Sequence, residues 1–170
     1  LRSLSRAHRD SPYRFHVDGA EYRVDYVPGE SASGLFGGNS NWRGPVWFPI
    51  NYLIVEALER YHHYYGDSFH VECPAGSGRH MDLAEVALEL KRRLASIFLR
   101  GPSGARPNDG GDLRFQEDPF FRDLVLFHEY FHGDDGRGLG ASHFASWTGM
   151  VMRCLDHVAR DRRGAEAPGP

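Results

Sequence analysis

Residues 45–66 read PVWFPINYLIVEALERYHHYYG, and the spacing of their apolar positions decides the fold. Val46, Ile50, Leu53, Ile54, Ala57, Leu58, Tyr61 and Tyr65 recur at intervals of three and four, the period of one helix face rather than of a strand. Pro45 and Pro49 fall in the first turn, where a missing N–H costs little, and Gly66 stands where a left-handed cap is wanted. The spacing predicts a helix over about 45–65. Downstream, Asp82 and Glu85 form an Asp variant of the capping box. Leu83, Val86, Leu90, Leu94 and Ile97 then supply the buried face of a helix over about 83–99, stopped by Gly101. A third helix is predicted over about 147–160, burying Trp147, Val151, Leu155 and Val158.

Upstream, residues 13–27 read as a hairpin: Tyr13–Val17 and Glu21–Tyr26 alternate apolar and polar, and Asp18-Gly19 is a favoured two-residue turn. Leu124–Phe127 is an apolar run too short for period to assign. Residues 161–170, charged and rich in Pro and Gly, read as a disordered tail. The expectation is a mainly α protein with one small β-hairpin near the N-terminus, carrying a site in its long, Trp-, Asn-, His- and Gly-rich loops.

Bulk properties narrow the function. The 170 residues are one domain's worth, and a 41% hydrophobic content allows a core. A net charge of −3 without a basic stripe argues against a nucleic-acid partner. No apolar run approaches the roughly 20 residues that span a bilayer, so no membrane partner is expected. Cys73 and Cys154 are isolated, which suits a reducing compartment, and the cytoplasm is the expected location. The chain opens on Leu1 rather than Met, which reads as a fragment or a processed product.

Two stretches carry chemistry. In Asn39–Trp47, two indoles, two side-chain amides and Arg43 crowd a loop-to-helix junction. Trp42 or Trp47 can cover the apolar face of a pyranose while Asn41 and Arg43 bond its hydroxyls; alternatively both indoles are core residues. In 128–149, Glu129 is a lone carboxylate at the edge of a glycine-rich loop, with His143 and Trp147 beyond it. A glycosidase needs two carboxyl groups across the scissile bond, and Glu129 is a candidate for one of them. Asp134 and Asp135 compete but read as turn residues beside Gly133 and Gly136. Gly133–Gly140 matches neither the dinucleotide fingerprint nor a phosphate loop, and no cofactor is expected. His128-Glu129-x-x-His132 also fits the zinc-protease pattern. That chemistry needs both imidazoles on one helix face, and Gly133 follows at once, so no metal site is expected. A non-catalytic carbohydrate-binding module remains the main alternative.

Through residues 34–47, Tyr61–Gly66, Phe131–Asp134 and Ala141–His143, in order, the chain resembles the C-terminal part of the catalytic domain of glycoside hydrolase family 63 and its bacterial relatives. These are the mannosylglycerate-hydrolase-like and processing α-glucosidase-like enzymes. The resemblance covers about residues 1–158 and implies an (α/α)6 toroid, of which residues 1–160 would be the C-terminal portion. It implies inverting hydrolysis of α-glycosides in a bacterial enzyme, on an oligosaccharide or small α-glycoside. Glu129 matches the general base, with Asn41, Trp42, Arg43, Trp47, His143 and Trp147 around the sugar. The general acid, an Asp far upstream in the family, has no counterpart here. The missing N-terminal part of the same domain is therefore an expected partner.

Overall fold

The computed structural model describes residues 6–40 and 42–166. In chain order the elements are β1 (Tyr13–Val17), β2 (Ala20–Val24), α1 (Phe48–Tyr65), β3 (His70–Glu72), β4 (His80–Asp82), α2 (Leu83–Ser96), α3 (Arg114–Glu117), β5 (Tyr130–Phe131), β6 (Gly138–Leu139), α4 (Ala145–Thr148) and α5 (Val151–Glu166). Among the described residues, then, α1, α2 and α5 are the long helices, α3 and α4 single turns, and the strands pair as three antiparallel hairpins. The class is mainly α.

α2 packs between α1 and α5. Phe48, Leu94, Ala95, Ile97, Phe98, Phe131, Val151 and Cys154 form the core cluster, which joins all three helices to β5. At the start of α2, Asp82 accepts from the Glu85 N–H at 2.8 Å and the Glu85 carboxylate accepts from the Asp82 N–H at 3.0 Å, the expected capping box. Within α2, Lys91 is 4% exposed, and its ammonium contacts Glu59 of α1 and Nδ1 of His157 of α5. A buried cation is tolerable only with such partners.

Three expectations are corrected. α1 begins at Phe48, not Pro45, because the backbone of Val46 is drawn into reciprocal hydrogen bonds with Phe131 at 2.7 and 3.0 Å. The third helix begins at Val151, because Trp147 sits in the separate turn α4 and Gly149 and Met150 form a turn between the two. That helix also runs to Glu166, into the stretch 161–170 assigned to a disordered tail, of which residues 167–170 lie outside the described residues. Its periodicity carries Asp161 onto Arg92 of α2, 2.8 Å away, so the first charged residue of that stretch belongs to the helix. The hairpin β1–β2 forms as expected, with Asp18 (φ 49°) and Gly19 (φ 79°) both left-handed as its tight turn demands.

Candidate functional site

Glu129 lies one residue before β5, where the strand fixes its direction. Its N–H donates to the Ala141 carbonyl at 2.9 Å, and its carbonyl accepts from the Trp147 indole N–H at 2.9 Å. Its carboxylate leans over the turn that follows β6. Gly140 there has φ 68°, and a Cβ added to it would lie 2.8 Å from Glu129 Oε2 and 2.7 Å from Tyr130 Cε1. Only glycine gives both that backbone and that space. Glu129 is half-buried, and among the described residues it forms no ion pair. The two competing acids do: Asp134 accepts from Arg9 at 2.7 Å and from the Tyr26 hydroxyl at 2.6 Å, and Asp135 pairs with Arg137 at 2.9 Å.

An aromatic wall stands beside this carboxylate. All three tryptophans of the chain meet: Trp42 stacks on Trp47 at 6.0 Å, and both meet Trp147 edge-on, at 5.6 and 6.0 Å. Trp47, 3% exposed, stacks on Tyr130 at 4.3 Å, and Phe144 backs Trp147 at 4.4 Å. Trp47 is thus a buried support, and Trp42, 39% exposed, is the indole that faces water. Burial, then the charges of Glu30 and Glu129, hold the Tyr130 hydroxyl above its ordinary pKa.

Of the remaining expected residues, Arg43 is exposed and lines a cavity of about 290 Å³ with Trp47, Asn39, Ser31 and Gly29. Glu129, Trp147 and His143 are outside that lining. His143 is exposed and bridges Phe127 through its backbone. Asn41 lies outside the described residues. Sequence reasoning missed Glu30 and Phe144. Phe144 was legible in principle, three residues before Trp147; Glu30 was not, since nothing in a loop sequence says which strand it crosses.

The helix-borne zinc pair does not form. Tyr130 and Phe131 pair as β5 and His128, Glu129 and His132 are irregular, so no helix face carries the two imidazoles. Burial, and secondarily His143, lower the His128 pKa, and its ring lies under the backbone of Gly138, where a Cβ would collide with it. His132 Nδ1 faces Asp135 at 3.1 Å. The group with metal-like spacing among the described residues is His62, Asp67 and Asp82, at the α1–α2 junction. There Asp82 already caps α2, and Asp67 is 94% exposed.

Residues 20–148 match the family model of the Mannosylglycerate hydrolase MGH1-like glycoside hydrolase domain. The chain belongs to this family. It is 53% identical over 160 residues to the uncharacterized protein YMR196W of Saccharomyces cerevisiae, covering 93% of this chain and 15% of that protein. It is 27% identical over 121 residues to the Mannosyl-oligosaccharide glucosidase of the same yeast, covering 71% of this chain and 11% of that protein. No solved structure matches. The resemblance to glycoside hydrolase family 63 read from the sequence therefore holds, and the domain is of the glycoside hydrolase type. The expected bacterial origin gains no support, since both relatives are fungal.

Proposed function

We propose that the chain supplies the general-base side of an inverting α-glycosidase. Glu129 takes a proton from a water molecule as that water attacks the anomeric carbon from the face opposite the leaving group. The glycosidic oxygen leaves with a proton given by an acid outside these 170 residues, an Asp by the family resemblance. The observation that carries the reading is a half-buried carboxylate, uncommitted to any ion pair among the described residues, set beside the cluster of Trp42, Trp47, Trp147 and Tyr130. An unpaired carboxylate keeps acceptor oxygens for water, and indole faces bind the apolar face of a sugar. Asn41, Arg43 and His143 complete the sugar contacts in this reading, and the ligand is an oligosaccharide or a small α-glycoside.

The three long helices are then an arc of an (α/α)6 toroid whose other helices lie elsewhere in a longer chain. The short coverage of both relatives supports this. The free thiols Cys73 and Cys154 suit a cytoplasmic setting. Proton NMR of the sugar first released from an α-glycoside by the full-length protein tests the proposal. Inversion yields the β-anomer first. The α-anomer first would mean retention and a carboxylate nucleophile, and sugar binding without turnover would make the domain a binding module.

A further inference from the structure

The hairpin β1–β2 carries an apolar face that is largely exposed, with only Val24 at its edge half-buried. The register pairs Tyr13 with Val24, Phe15 with Tyr22 and Val17 with Ala20, so these six side chains share one face. Arg14, His16, Glu21 and Arg23 share the other. Tyr13 and Tyr22 are each 54% exposed, Phe15 45% and Val17 41%. Phe15 and Tyr22 touch each other, with ring centroids 5.6 Å apart. The polar face is satisfied: Arg14 reaches Glu21 at 2.9 Å, His16 reaches Glu21 at 3.2 Å, and Arg23 reaches Asp25 at 2.7 Å. The face built for water is complete, and the face built for burial is largely exposed. A two-stranded hairpin is marginal in water unless a third strand or another element covers its apolar side.

We infer that this face is a docking surface for an apolar surface of the same longer polypeptide, outside these 170 residues. The inference rests on the proposed reading of the chain as part of a larger glycosidase. Two observations commit the occupant. A relative 53% identical over 93% of this chain carries the matching stretch as 15% of its length, so a covering surface is available within one polypeptide. The apolar face also reaches the candidate site at its edge, because Val24 lines the same cavity as Trp47 and Arg43. Whatever seats on the hairpin therefore borders that cavity. The hairpin's charges are spent on one another, so the contact is apolar and insensitive to salt.

Hydroxyl-radical footprinting of Tyr13, Phe15 and Tyr22 in the full-length protein tests this, with the urea-unfolded protein as the reference for full reactivity. The expected result is that all three rings lose most of their reactivity in the folded monomer, at every protein concentration and without ligand. Rings that stay reactive would overturn the inference. Protection that grows with concentration, in step with dimer formation, would overturn it in favour of a second copy. Protection seen only with added oligosaccharide would overturn it in favour of a sugar platform. The footprint does not depend on turnover. A protected hairpin in a protein that hydrolyses nothing would sink the catalytic reading and leave the docking surface standing.

Discussion

Gly140 ties the backbone of the turn after β6 to the candidate carboxylate. Its φ of 68° is left-handed, and a methyl group there would press on both Glu129 Oε2 and the Tyr130 ring. Gly140→Ala is expected to destabilise the fold by about 1 kcal/mol or more and to lower kcat in the full-length protein by displacing Glu129. Urea unfolding read beside steady-state kinetics checks both. His128 gives a prediction in pH. Burial and His143 keep its folded pKa below the unfolded value of about 6.5, so the unfolded chain binds more protons between the two values. Its contribution to stability is full above about pH 6.5 and declines as the pH falls through that window. His128→Gln, which cannot take up the proton, is expected to lose less stability than wild type on acidification. Urea midpoints on either side of the window measure this, and equal losses would discount His128.

At the scale of elements, what is local in sequence was legible. The capping box of α2 needs only Asp82 and Glu85, three residues apart, and it formed. Asp82→Ala is expected to cost about 1 kcal/mol, seen as a lowered thermal midpoint, while the conservative Asp82→Asn retains most of it. The β1–β2 hairpin was legible for the same reason, since its turn chemistry lies in two adjacent residues. What depended on partners distant in sequence was not. The start of α1 is set by Phe131, and the isolation of α4 goes with Trp147 bonding the Glu129 carbonyl. The three-residue strands β3 and β4 are too short to show a period. Lys91 reads as a surface residue between Leu90 and Leu94; only the approach of Glu59 and His157, from helices 32 and 66 residues away in sequence, makes it a buried cation. The site follows the same rule. Its tryptophans were legible as residue types near loop-to-helix junctions, but their meeting with one another, the stacking of Trp47 on Tyr130, and the approach of Glu30 come from chain crossings that no spacing encodes.

The whole molecule leaves much apolar surface uncovered. Besides the hairpin, Leu53, Tyr61 and Tyr64 of α1 are 63%, 55% and 80% exposed, although they lie on or beside the stripe that predicted the helix. A stripe this regular is usually a packing face, which agrees with a domain completed by the rest of a longer chain. Catalysis by two carboxylates would then need that longer chain, with Glu129 as the member held here. The most direct measurement is kcat on an α-glycoside for the full-length protein and its Glu129→Gln variant, with circular dichroism and thermal midpoints to establish that both are folded. A folded variant slowed by about a hundredfold to ten-thousandfold is the expected result. A folded variant with near-normal turnover would contradict the account, because Glu129 could not then be the base.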